Sequence, residues 1–173
     1  MNEVLNCLET RRSVRKYLPK QIADAELNAI LEAGIYAPTA MGRQSPKIVV
    51  LQQPEDVAEL ERMNAAVLGN PDSHPFYGAP TVLVVLADAK AGTAVEDGSL
   101  VLGNLMNAAH ALGVGSCWIH RAREEFASGE GKALLKRWGI EGDWVGVGHC
   151  ILGYAAEPAA PAKPRKADYI VRV

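Results

Sequence analysis

Aromatic side chains are scarce in this chain, at 6% of 173 residues, so a core must be built largely from Ala, Val, Leu and Gly. Cysteine is scarce too. Cys7, Cys117 and Cys150 form an odd set without a Cys-x-x-Cys spacing, which signals neither a disulfide framework nor a zinc site. Positive charge is not in surplus: 18 basic residues against 20 acidic ones give a net charge of −2, which argues against general nucleic-acid binding. No apolar run reaches the roughly 18 residues of a membrane span. Glu3, Asn6 and Glu9 interrupt any signal-peptide-like apolar region, so a cytoplasmic protein is expected. His-Glu-x-x-His and Gly-x-Ser-x-Gly are absent, and no metal site is expected.

The length suits one domain spanning 1–173, because single cores commonly run about 100–200 residues. Residues 2–10 read as a short helix with Val4, Leu5 and Leu8 on one face. Asp24 reads as the N-cap of a second helix, in which Leu27, Ile30, Leu31 and Ile35 recur at helical spacing until Pro38. Residues 39–46 read as a loop and 47–52 as a strand. Pro54 then opens a helix with Val57, Leu60 and Val67 inward. Residues 69–79 have loop composition and the length of a substrate-side lid or a connector. Thr81–Ala87 is continuously apolar and predicts a strand buried on both faces.

A helix over 95–112 is apolar almost all round, with Asn104, Asn107 and His110 sharing one side. Such a helix belongs in a core or a subunit interface. Strands follow at 114–119 and 144–152, with a helix at 130–138 between them. From Ala155 the chain is rich in Ala, Pro and Lys, and it ends in the strand-like Tyr169-Ile170-Val171-Arg172-Val173. Prolines keep such an arm extended, and its apolar end predicts docking, with a partner subunit as one candidate.

The histidines are scattered, and His149 reads as a satisfied core residue. Cys117 and Cys150 read as small core residues rather than reactive thiols. Gly146-Val147-Gly148 resembles part of a dinucleotide fingerprint but lies in a strand with no helix after it, so the context of a nucleotide-binding turn is missing. What remains is basic. Arg11, Arg12, Arg15, Lys16 and Lys20 near the start, with Lys163, Arg165, Lys166 and Arg172 near the end, hold half of the 18 basic residues. Arginine presents a planar fork of donors suited to phosphate oxygens, and Ser13 adds a hydroxyl. Two readings stand: a shared phosphate site, or two solvated basic faces.

Four stretches, in order along the chain, resemble the nitroreductase family of flavoproteins. They are Arg11-Arg12-Ser13-Val14-Arg15-Lys16-Tyr17, then Ala37-Pro38-Thr39-Ala40-Met41-Gly42-Arg43-Gln44-Ser45-Pro46. Ala109-His110-Ala111-Leu112-Gly113-Val114-Gly115-Ser116-Cys117-Trp118-Ile119 follows, and Lys163-Pro164-Arg165 closes the set. The resemblance implies an α+β fold, a mixed sheet flanked by helices. It further implies a domain-swapped homodimer built on long central helices, with residues 155–173 as the exchanged C-terminal arm. Arg11, Arg12, Ser13 and Arg15 would hold the phosphate and ribityl chain of FMN, completed by Lys163 and Arg165. Pro38, Thr39 and Gln44 would reach the flavin from the other subunit, and Trp118, Ile119 and His120 would lie near its ring. Lys47 and Arg43 are two candidates for positive charge near the ring.

The activity implied is that of an FMN-dependent oxidoreductase passing hydride from NADH or NADPH to a small electron-poor acceptor such as a nitroaromatic or quinone. Alternatives with the same fold are a reductive dehalogenase, a flavin-consuming enzyme, or a redox-sensing or storage dimer without turnover. A regulatory phosphate-ligand site is the reading without flavin. The chain departs from the family pattern in three ways. Gly42 stands where many relatives carry Asn, Ser45-Pro46 replaces Gln-Pro, and the segment between Trp118 and Trp144 is short, leaving little room for extra helices.

Overall fold

The computed structural model describes residues 2–173. Among the described residues six α-helices and four strands follow one another as α1 (Glu3–Thr10), α2 (Asp24–Ile35), β1 (Pro46–Leu51), α3 (Pro54–Leu68), β2 (Thr81–Asp88), α4 (Ala94–Ala111), β3 (Gly115–Ile119), α5 (Ala122–Ala127), α6 (Gly129–Arg137) and β4 (Trp144–Gly153). The sheet order is β1-β2-β4-β3. Every strand pair is antiparallel, so the mixed sheet implied by resemblance is corrected. Among the described residues, parallel pairing is confined to a bridge between Ser13 and Ser116, which lays the arginine segment against edge strand β3.

Both faces of this antiparallel sheet are covered. Val82, Val84 and Leu86 point to one core, which they share with Leu60 and Met63 of α3, Phe126 of α5 and Leu134 of α6. Leu83, Val85 and Ala87 point to the other, with Ile30 of α2 and Leu102 and Leu105 of α4. The strand period of two feeds both cores at once, which is why β2 reads as an unbroken apolar run.

Some expectations shift. Ala23, not Asp24, caps α2, and its N–H donates to Glu26 Oε2 at 2.9 Å. In α3 the residues turned inward are Leu60, Met63, Asn64 and Ala65, while Val67 is exposed. Helix α5 was not expected. It is about a turn and a half long, too short to display a period, and it follows Arg121 in the left-handed region at φ 83°. The short segment 119–143 therefore holds two helices. In loop 69–79, Phe76 is buried edge-on against His149, and its N–H donates to Glu61 Oε1 at 2.8 Å, so the loop is pinned to α3.

The Gly146-Val147-Gly148 run is a bulge. Leu86 pairs with Gly146 while Val85 pairs with Gly148, leaving Val147 as the extra residue. A Cβ on Gly146 would lie 2.1 Å from the carbonyl oxygen of Ala122, so α5 sits directly on β4 there. On the opposite face Val147 meets Gly98, where a Cβ would come within 2.5 Å of Val147 Cγ2, so α4 sits equally close.

Beyond Tyr154 the arm peels away. The Ala156 N–H donates to the carbonyl of Lys16 at 2.9 Å, and Lys16 pairs with Glu157. Residues 155–173 are exposed, and the expected strand at 169–173 has no partner strand among the described residues.

Candidate functional site

The arginine segment runs between the end of α1 and β3. The Val14 N–H donates to the carbonyl of Ser116 at 2.9 Å, fixing the backbone of the segment on the sheet. Arg12 Nη1 turns back to the carbonyls of Glu9 (2.7 Å) and Arg11 (2.6 Å). Arg11 differs: its Nη1 is buried and has no hydrogen-bond partner among the described residues. A buried cationic donor without an acceptor is costly, and an anion supplied from outside removes the cost. Burial, and then the charges of Arg11 and Arg12, hold the His110 imidazole below its usual pKa, and its Nε2 lies 2.9 Å from Thr10 Oγ1. Ser13, Arg15 and Lys16 line a small cavity of about 190 Å³ together with Glu157 and Pro158 of the arm. Lys163 and Arg165 lie exposed further along the arm and make no hydrogen bond or ion pair among the described residues.

Thr39 and Gln44 line a different cavity, of about 340 Å³, with Ala37, Pro46, Ile48 and Val101. Pro38 precedes a single 3-10 turn at 40–42. The connection from Thr39 to Ser45 is unusual in its backbone. Met41 (φ 56°) and Gln44 (φ 51°) are non-glycine residues in the left-handed region, with Gly42 (φ 64°) between them. Of the two candidate cations, Lys47 Nζ stands 5.1 Å over the Trp144 ring, and Arg43 Nη2 lies 3.3 Å from Met41 Sδ.

Trp118 is half-buried, Ile119 is buried and His120 is exposed at the end of β3. Their connection to α5 is clamped by a residue that sequence reasoning missed. Asn64 of α3 is fully buried. Its Nδ2 donates to the carbonyl of His120 at 2.8 Å, and its Oδ1 accepts from Arg121 Nε at 2.9 Å. Both ends of one amide are spent on one turn, at the residue whose left-handed backbone is hardest to hold. The only sequence signal was a polar residue on the inward face of a helix.

Beneath this turn His149 Nε2 and Glu125 Oε2 share a hydrogen bond of 2.5 Å, both residues being fully buried. His149 Nδ1 and Glu125 Oε1 have no partner, so the core histidine is satisfied on one side only. Cys117 and Cys150 are buried, and burial pushes the Cys150 thiol far up, which suits inert core residues. Among the described residues no cluster of three His, Cys, Asp or Glu side chains could hold a metal ion, and no helix is long and apolar enough to cross a membrane.

Comparison with known proteins agrees with this arrangement. The nitroreductase family model matches residues 8–76 and 70–154. A nitroreductase of Bacteroides fragilis, crystallised with bound FMN, is 34% identical and superposes with a TM-score of 0.91 over 100% of both chains. A protein of Archaeoglobus fulgidus provisionally named an NADH dehydrogenase/NAD(P)H nitroreductase is 33% identical over 89% of this chain and 86% of its own length. One of the same provisional name from Methanothermobacter thermautotrophicus is 30% identical over 67% of this chain, which spans 60% of that relative. The chain belongs to the nitroreductase family.

Proposed function

We propose that this protein is an FMN-dependent oxidoreductase that oxidises NADH or NADPH and reduces a small electron-poor acceptor, such as a nitroaromatic or a quinone. The observation that carries the reading is the buried, partnerless Nη1 of Arg11, in a segment fastened to the sheet edge beside Ser13 and Arg15. Those donors fit a phosphate monoester, which FMN has. The name of the Bacteroides fragilis structure points to the same group.

Bound FMN would supply the hydride exchange, and the protein supplies binding, orientation and electrostatics. On this reading Arg11, Arg12, Ser13 and Arg15 hold the phosphate and ribityl end, joined by Lys163 and Arg165. Thr39 and Gln44, with Pro38 before them, orient the flavin from a second subunit. The backbone at Trp118, Ile119 and His120, held by Asn64, presents donors at the ring edge.

The second subunit is supported by apolar surface. Val4, Leu5 and Leu8 of α1 are each more than half exposed, and Val4 and Leu8 line a cavity of about 480 Å³ with Asn104, Asn107 and Ala108 of α4. Tyr169, Ile170 and Val171 at the end of the arm are exposed as well. Exposed apolar groups of this kind suit an interaction site, and on this reading a homodimer with exchanged arms covers them.

The test begins with the visible spectrum of the purified protein, reconstituted with FMN if colourless, and its mass by light scattering. Flavin bands released as FMN on denaturation, bleached on rapid mixing with NADH or NADPH, support the reading. A colourless protein that binds no FMN sinks it.

A further inference from the structure

Loop 39–45 is clasped by one carboxylate. Asp97, in the first turn of α4, is buried, and its two oxygens reach opposite ends of the loop. Oδ1 accepts from the Ala40 N–H at 3.0 Å, and Oδ2 accepts from Ser45 Oγ at 2.9 Å. Thr93 Oγ1 also donates to Oδ2, at 3.2 Å, without touching the loop. The close seat of Gly98 on Val147 sets the height of this helical turn against the sheet.

The loop's other bonds are internal or at one end. The Gly42 N–H donates to the carbonyl of Thr39, and the Arg43 N–H to that of Ala40. The Gln44 N–H donates to Thr39 Oγ1, and the Asp88 N–H to the carbonyl of Ser45. Left-handed Met41 and Gln44 persist only where their surroundings over-determine them. Of these contacts, the Asp97 carboxylate alone joins both ends of the loop to the core. Val101, one turn further along the same face of α4, forms the floor of the cavity that Thr39 and Gln44 line.

We propose that Asp97 is a positioning residue for the cofactor: it holds loop 39–45 in its left-handed form, so that Thr39 and Gln44 face the cavity in which they meet the flavin. The inference rests on the FMN reading above. Burial works against the charged carboxyl, but the donors from Ala40, Ser45 and Thr93, with the charge of Arg43, outweigh it and hold the group ionised below its usual range. An anionic acceptor makes stronger hydrogen bonds than a neutral one, so the clasp is charge-assisted.

The test compares Asp97→Ala, Asp97→Asn and Thr93→Val with the wild type in two measurements. One is amide hydrogen exchange of residues 40–45 in the protein without FMN. The other is FMN affinity by fluorescence quenching. Asp97→Ala is expected to speed exchange at Ala40 and Gln44 at least about tenfold and to weaken FMN at least about tenfold, the scale of a lost hydrogen bond to a charged group. Asp97→Asn, which keeps one acceptor, is expected to fall between. Thr93→Val is expected to stay within about twofold of wild type, because the loop contacts remain.

Unchanged exchange and affinity in Asp97→Ala overturn the proposal. So does a Thr93→Val as damaged as Asp97→Ala, which would report a general weakening of the start of α4. If Asp97→Ala does not fold, Ser45→Ala, which frees one end of the loop, decides by the same two measurements. A wild type that binds no FMN defeats the cofactor reading, and with it the purpose of the clasp. Exchange data then still decide whether Asp97 orders the loop.

Discussion

Replacing Gly146 by alanine should damage the protein more than its single added methyl suggests. The new Cβ would lie 2.1 Å from the carbonyl oxygen of Ala122 and 2.4 Å from its carbon, both backbone atoms that no rotamer change can move. Helix α5 must lift off β4 by the order of an ångström. That loosens the contacts of buried Phe126 and the buried pair of Glu125 and His149. Overpacking a well-filled core costs about 1–3 kcal/mol, and an unyielding backbone neighbour places this case near about 3 kcal/mol. Alanine gains no helix propensity in compensation, because the site is a strand bulge. For a chain of this size about 3 kcal/mol lowers Tm by roughly 6–12 °C. Urea unfolding and a thermal scan at fixed protein concentration measure it, since any dimerisation makes the midpoint concentration-dependent. A variant within about 1 kcal/mol of wild type would refute the claim that α5 rests on β4 through this glycine.

Arg11→Ala removes a buried donor that has no partner among the described residues, so the protein without FMN should hold its stability or gain slightly, while FMN affinity falls about 10–100-fold. The opposite pattern in urea unfolding and FMN titration, lost stability with intact affinity, would assign Arg11 a structural role. Asn64→Leu leaves the His120 carbonyl and Arg121 Nε unpaired and should cost about 2–3 kcal/mol in denaturant unfolding; a neutral result would mean that the turn holds itself. The carboxyls of Asp97 and Glu26 are both held below their usual range, Asp97 by donors that outweigh burial and Glu26 first by the Tyr154 hydroxyl. Their stabilising effect is complete above the unfolded-state values near about pH 4 and is lost as pH falls through the lower folded-state values. The urea midpoint should therefore drop between about pH 4 and pH 2, less so in Asp97→Asn; a flat profile contradicts the assignment.

The cores were legible because their signal is local. The β2 run states burial in consecutive residues and is buried throughout, while the all-round apolar segment 95–112 buries Val101, Leu102, Leu105 and Ala109 but leaves Leu100 and Leu112 exposed. The antiparallel order was not legible, since a strand buried on both faces carries the same residue pattern in either direction. Helix α5 escaped because six residues give no period to count. Gly146-Val147-Gly148 looked like a fragment of a nucleotide site and is a packing device. Three consecutive positions let one helix down on each face of a single strand, and that depends on neighbours far away in sequence.

The candidate site divides along the same line. Arg11 and Ser13 could be singled out because phosphate chemistry demands particular side chains, and those are visible as letters. Asn64 and Asp97 could not, because each acts on partners far away in sequence, a backbone group among them. Asn64 serves the carbonyl of His120, and Asp97 serves the N–H of Ala40, 57 residues away in sequence. A polar residue on the buried side of a helix is the one trace such a group leaves, and it shows only once the helix is docked. Both stand behind turns with non-glycine residues at positive φ, Arg121 in one case and Met41 and Gln44 in the other. Strained backbone and a buried polar side chain bonded within the same turn therefore coincide twice in this chain, each time beside residues that family resemblance sets against the flavin. Strain that neighbours must hold in place is tolerated where it aims a group at a ligand, so the coincidence supports a functional role for both turns independently of the arginines.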